Sequence, residues 1–288
     1  MSKKKYSENL TTDIGGFSIS LIFGQSPVEE ERKTSGDGVQ DRLTLRVHHG
    51  CIPDFKERKK LFDSGETWSF FHSRGKYILQ DESLDEGLAP QKLVILEPGF
   101  ESGDIYLRNG KLDSISLTDP LLYPLNQILM ILLLSCKKGI YLHACGIDDN
   151  GRGYLFLGNS THGKSTMARL WSQEKALVLN DDRIILREQN GRFMMYGTPW
   201  HGDFDKFVLK PLPVQKIFFL KHGSKNLAIP KKGIEAVSMF ITRCFPPIWD
   251  KEGMESTTDL SQRIVRKIPC YELNFVPDRK IINFIRDV

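Results

Sequence analysis

The chain has 288 residues, with 40 Lys and Arg against 36 Asp and Glu, a formal charge of +4. That length buries a sizeable core, and the near-balance of charge lacks the concentrated basic excess of a nucleic-acid binder. With 40% apolar and 26% charged residues the composition excludes a disordered chain, and five scattered cysteines without CxxC or His-spaced patterns exclude a disulfide framework or a zinc site. In chain order, MSKKKYSENL has basic residues with no apolar stretch behind them and does not read as a secretory signal. FSISLIF (17–23), LTLRVHH (43–49), TWSFFHS (67–73) and KYILQ (76–80) read as strands, with Arg74-Gly75 turning the chain between the last two. KLVILEP and DIYLRNG continue the pattern, and the polar stretch 26–42 reads as a loop. Residues 1–115 are therefore expected to form a small β-rich module.

From residue 116 to 288 strands and helices mix, as in an α/β domain. Leu121 to Lys138 reads as a buried helix. Its apolar core, QILMILLLSC (127–136), is far short of the roughly 20 residues of a membrane span. IYLHACGI (140–147) and GYLFLG (153–158) read as strands around the Asp149–Gly151 turn, followed by a glycine loop and a helix over 164–173. ALVLND, RIILRE, FMMYGT, VQKIFFL and YELNFVP are expected strands. Residues 234–244, 259–267 and the tail from Arg279 are expected helices.

The strongest chemical signal is Gly158-Asn159-Ser160-Thr161-His162-Gly163-Lys164-Ser165-Thr166, which fits G-x-x-x-x-G-K-[ST] between a strand and a helix. Glycines at the two fixed positions let backbone N–H groups converge on phosphate oxygens. The lysine neutralises β- and γ-phosphates, and Ser165 can coordinate Mg²⁺. Asp181-Asp182 closes the next strand, where a carboxylate faces the ligand crevice and can hold Mg²⁺ or take a hydroxyl proton. Taken alone, such a pair is more often a solvated one opening a turn, and the single helix between it and Lys164 is what favours a shared site. His143 lies one strand before the loop strand. Antiparallel pairing through the 149–151 turn would let it reach a carboxylate such as Asp181, although a lone strand histidine is usually a packed or surface residue.

Together, His143-Ala144, GNSTHGKST and LNDDRIIL resemble the catalytic domain of HPr kinase/phosphorylase over roughly residues 121–186. The later GTPWHGDF segment is similar to the shorter HPr-kinase-like proteins of peptide-modification clusters, including the lasso-peptide kinases. The resemblance implies the phosphoenolpyruvate carboxykinase/HPr kinase fold. It makes Asp181 the catalytic base, His143 its tuning partner, Lys164 a phosphate ligand, and Ser165 and Asp182 metal-associated. The implied activity is ATP- and Mg²⁺-dependent transfer of phosphate to a Ser or Thr hydroxyl of a peptide or small protein. The scattered cysteines, the charge balance and the short apolar run separately read as a reduced, cytoplasmic protein with no nucleic-acid or membrane partner. A non-catalytic nucleotide sensor and a small-molecule hydroxyl kinase are the alternatives, and association into a homo-oligomer is left open. The chain departs from the family at Thr161-His162 and lacks the LEVRGxG-type segment, which sets HPr itself apart as acceptor. Two weaker positions complete the reading. Thr198–Asp203 is either an acceptor or metal-contact loop or a Pro-Gly loop whose Trp200 caps the core. Arg243 is either a cation for the transferring phosphate or a surface residue at a helix end.

Overall fold

The computed structural model describes residues 9–24, 41–55, 57–65, 67–81, 91–108, 120–136 and 139–288. The expected loop over 26–42 lies almost wholly outside these residues, as does the expected module boundary at 115/116. The chain divides into two compact units, residues 1–132 and 133–288.

In the first unit the described strands are β1 (Leu10–Ile14), β2 (Phe17–Phe23), β3 (Asp41–His49), β4 (Lys59–Asp63), β5 (Trp68–Ser73), β6 (Lys76–Asp81), β7 (Lys92–Leu96) and β8 (Ser102–Leu107). They form one sheet in the order β1-β2-β3-β8-β7-β6-β5-β4, antiparallel except at β2–β3 and β3–β8. Period-two burial explains its register: Leu43, Leu45 and Val47 are buried while Arg42 and Arg46 face outward. Two strands, β1 and β4, are absent from the sequence reading because their short polar sequences, LTTDI and KKLFD, carry no apolar alternation. The helix α1 (Leu125–Cys136) starts after Pro124 and carries the division between the units. Leu125 and Ile128 to Leu134 are all buried, so no solvent face shows in its pattern.

The second unit contains β9 (Gly139–Asp149), β10 (Arg152–Leu157), α2 (Lys164–Gln173), β11 (Leu177–Asn180), β12 (Arg183–Gln189), β13 (Arg192–Gly197), β14 (Pro211–His222), β15 (Leu227–Lys231), α3 (Gly233–Ile241), α4 (Lys251–Lys267), β16 (Cys270–Phe275) and α5 (Lys280–Asp287). The architecture is mixed α/β, with strand order β10-β9-β12-β13-β14-β16-β15 and β11 joined to β9. Two long strands change partners along their length. β9 pairs with β12 up to His143 and with β10 and β11 beyond it. β14 pairs first with β13, then in parallel with β10 and β16. The β10–β14 pairing closes the path β10-β9-β12-β13-β14 on itself.

Alternation sorts the side chains of these strands into two cores. Leu155, Leu157, Ile184, Leu186, Ile217 and Phe219 pack with Phe240, Leu260 and Ile264 of α3 and α4. Tyr154, Phe156 and Phe218 face the other way, onto Trp171 of α2 and Ile281, Ile282 and Ile285 of α5. Between β9 and β10 both turn residues are left-handed, Asn150 at φ 55° and Gly151 at φ 86°, the I′ geometry that matches strand twist.

The helix expected over 259–267 begins eight residues earlier, at Lys251. Asp250 caps it, accepting a hydrogen bond from Gly253 N at 2.9 Å. Gly253, Thr257 and Thr258 are weak helix formers and hid the first two turns from the sequence pattern. No helix among the described residues is long and apolar enough to cross a membrane.

Candidate active site

β10 leads into the glycine loop and α2 leaves it, so the backbone reverses over 158–163. Thr161 sits at φ 70° and Gly163, the residue preceding α2, at φ 89°. A Cβ at Gly163 would lie 2.6 Å from Phe275 Cζ, so glycine is required there by contact as well as by dihedral. No side chain caps α2, and the amides of its first turn are free of intrahelical partners. Lys164 is buried and donates to the carbonyls of Gly158 at 2.9 Å and Asn159 at 3.0 Å. Burial pulls its ammonium below the ordinary lysine range, an effect that the Asp182 and Asp181 charges only partly oppose.

At the end of β11, Asn180 is fully buried and organises the turn. Its Oδ1 accepts from the backbone N–H of Asp182 (2.7 Å) and Arg183 (2.8 Å). Its Nδ2 donates to the carbonyls of Thr198 (2.9 Å) and Trp200 (3.1 Å). One amide thus fixes both the carboxylate pair and the loop after β13. Sequence reasoning passed over Asn180. The available signal was an amide immediately before two carboxylates at a strand end.

The turn sends the two carboxylates in different directions. Asp181 is buried, and Ser165 Oγ donates to its Oδ2 at 2.7 Å. Gly202 N donates to Oδ1 at 2.8 Å and Phe204 N to Oδ2 at 3.1 Å. Asp182 is one-quarter exposed, with His143 Nε2 2.9 Å from Oδ1 and Arg183 Nη1 2.8 Å from Oδ2. Burial raises the Asp182 pKa, but the His143 hydrogen bond and the Arg183 and Lys164 charges outweigh it. The carboxyl therefore stays below its ordinary range. Arg183 is itself held with its guanidinium 4.6 Å from the Phe245 ring centroid.

The antiparallel approach of β9 to β10 occurs as the turn predicts, yet His143 reaches Asp182 and not Asp181. The reason is register. His143 pairs with Arg183 across β9 and β12, which places its side chain next to residue 182, while the two N–H groups of the 202–204 loop and the Ser165 hydroxyl turn Asp181 toward α2.

His143, Ser160, Thr161, Gly163 to Thr166, Asp181 and Asp182 line one cleft of about 350 Å³, together with Arg169, Gly202 and Asp203. Gly158, Asn159 and His162 do not line it. Gly158 and Asn159 serve through their carbonyls on Lys164, and the His162 ring packs 6.3 Å from the His222 ring. Burial, then the nearby Arg243 charge, lowers the His162 pKa. Thr198–Asp203 does reach the site: its backbone holds Asp181 and Asp203 lines the cleft. Arg243 is not a cleft residue. Its Nη1 donates to Met239 O at 2.9 Å at the end of α3, and its carbonyl accepts from His143 N at 2.9 Å, fixing β9. Arg169, absent from the sequence reading, enters the cleft because it lies one turn after Ser165 on α2.

Among the described residues no three His, Cys, Asp or Glu side chains are grouped to hold a metal unaided. The Ser165 hydroxyl joined to the Asp181 carboxylate is a pair of oxygen donors, the ligand type that a hard divalent cation takes.

No protein-family model and no curated protein matches the chain. Among solved structures it is similar to the Hpr(Ser) kinase/phosphatase from Coxiella burnetii, with 13% identity and a TM-score of 0.33, covering 51% of this chain and 86% of that one.

Proposed function

We propose that the chain is an ATP- and Mg²⁺-dependent phosphotransferase acting on a Ser or Thr hydroxyl of a peptide or small protein. The carrying observation is the convergence in one cleft of a strand–loop–helix lysine, a hydroxyl–carboxylate pair and a His–carboxylate pair. Lys164 and the first-turn amides of α2 would bind the β- and γ-phosphates. Ser165 and Asp181 would hold Mg²⁺, which supplies charge neutralisation of the phosphates when bound.

The geometry favours Asp182 over Asp181 as the proton acceptor. Asp181 is buried and takes three donors, whereas Asp182, although held by His143 and Arg183, is one-quarter exposed and opens to the cleft. The acceptor O–H gives its proton to Asp182 as its oxygen bonds to the γ-phosphorus. The bond from that phosphorus to the β,γ-bridging oxygen breaks, and ADP departs. A carboxyl held below its ordinary pKa takes the proton late, once the forming bond has made it acidic. Most of the rate enhancement then comes from positioning and electrostatics.

The test is transfer of label from γ-labelled ATP to protein in heat-treated host lysate. Asp182→Asn should lower transfer at least about a hundredfold, with ATP affinity within about threefold of wild type. Lys164→Ala should abolish ATP binding itself. Near wild-type transfer by Asp182→Asn, or labelling only of low-molecular-weight material, would overturn this reading.

A further inference from the structure

A second concavity, of about 1020 Å³, opens between β15, α3, the C-terminal half of α4 and the start of β16. It lies at the upper edge of the roughly 300–1,000 Å³ usual for small-molecule pockets. Its apolar surface comes from Ile234, Val237, Val265 and Ile268, and Ile234 is 88% exposed. Ile234 is continuous with the apolar lining of the groove, and a contiguous apolar surface rimmed by polar side chains is the kind that serves as an interaction site.

The charge of the groove is one-sided. Lys231, Lys232, Arg266 and Lys267 line it, and no Asp or Glu does. Lys231 is held by Glu235 and Glu272, and Lys267 by Glu188, all outside the lining. Lys232 and Arg266 are exposed and have no carboxylate partner among the described residues. An apolar floor beneath two uncompensated cations complements a segment whose apolar anchors are flanked by carboxylates, and it disfavours a basic one.

We infer that this groove docks an acidic, apolar-anchored segment of the polypeptide acceptor, at a distance from the residue that is phosphorylated. The identity of the occupant rests on the phosphotransferase reading; the chemistry of the groove does not. β16 fixes the separation. Its first residue, Cys270, lies in the groove floor, and its last, Phe275, packs against Gly163 of the phosphate loop. Five residue steps of strand span about 17 Å. An extended acceptor therefore needs at least about five residues between its docking segment and its hydroxyl. This adds a length requirement that no single-residue or metabolite acceptor meets.

The experiment uses fluorescence anisotropy on the full chain without nucleotide. The probe is a fluorescein-labelled 16-residue peptide with leucines at helical spacing and Asp or Glu between them, and the control is its Lys-substituted counterpart. Saturable binding of the acidic peptide is expected, weakened at least about tenfold by the double change Lys232→Glu/Arg266→Glu and separately by Ile234→Asp. All three positions are exposed, and unchanged urea midpoints will show that the variants fold. Equal binding of the two peptides, indifference to both variants, or full displacement by a single-stranded RNA of matched charge would overturn the inference. Because no nucleotide is present, absence of phosphotransfer leaves this result intact, and its failure leaves the cleft chemistry intact.

Discussion

Replacing Gly163 by alanine tests whether the glycine loop is held by contact as well as by backbone preference. At φ 89° an L-residue pays a dihedral cost of about 1–2 kcal/mol. The added methyl would also sit 2.6 Å from Cζ and 3.2 Å from Cε1 of Phe275, whose ring is 2% exposed and packed in the core beneath α2. Overpacking of that kind costs about a further 1–3 kcal/mol, so Gly163→Ala should destabilise the fold by about 2–5 kcal/mol. Gly151 supplies the control, with φ 86° and nothing within 4 Å of its virtual Cβ. Gly151→Ala should therefore lose only the dihedral part. Urea unfolding of both variants at a common m-value separates the contributions. Phe275→Leu in the Gly163→Ala background should recover about 1–2 kcal/mol as a coupling energy. A difference below about 0.5 kcal/mol between the two alanine variants would refute the claim that Phe275 shapes the loop.

Asn180→Ala removes four hydrogen bonds to backbone groups from a fully buried side chain and leaves the Asp182 and Arg183 amides without it. It should cost about 2–4 kcal/mol in urea and expose the 198–204 segment to faster amide exchange, and protection equal to wild type would contradict the role given to this residue. Arg286 binds Asp149 with two hydrogen bonds, at 2.8 and 3.0 Å, and Arg286→Ala should cost about 2–3 kcal/mol at pH 7. That bond is the main reason the Asp149 carboxyl lies below its ordinary value, opposed by burial. A carboxyl depressed in the folded state contributes stability above the unfolded pKa of about 3.9, and the contribution is lost as pH falls through the folded value. The wild type should therefore lose stability steeply below about pH 4, and Arg286→Ala should show a shallower acid limb. Cys51 and Cys136 are exposed, whereas burial raises the pKa of Cys145, Cys244 and Cys270. A thiol reagent at pH 8 should accordingly titrate two cysteines quickly and three only after denaturation.

Much of this protein is legible one segment at a time. The glycine loop, the helix from Lys164 to Gln173 and the alternating strands on either side are local properties, written as residue spacing and β-branched or apolar runs. The same is true of the Asn150-Gly151 turn, whose left-handed pair needs only its own two residues. The loss of β1, β4 and the first half of α4 from the pattern has an equally local cause, since their residues are polar or weakly helical and carry no apolar alternation, while β1 and β4 are held by hairpin pairing with β2 and β5.

The division of labour between Asp181 and Asp182 is of another kind. Adjacent carboxylates are indistinguishable in sequence, and their difference is set by groups from four other elements: Ser165 on α2, Gly202 and Phe204 after β13, His143 on β9 and Arg183 on β12. The amide of Asn180, satisfied by carbonyls 18 and 20 residues away, holds the turn that separates them. The sequence by itself determined which groups capable of phosphate chemistry are present and which secondary elements carry them. Only the tertiary structure decided which carboxylate meets the hydroxyl and which meets the imidazole, because a side chain's direction at a strand end depends on partners supplied by the rest of the fold.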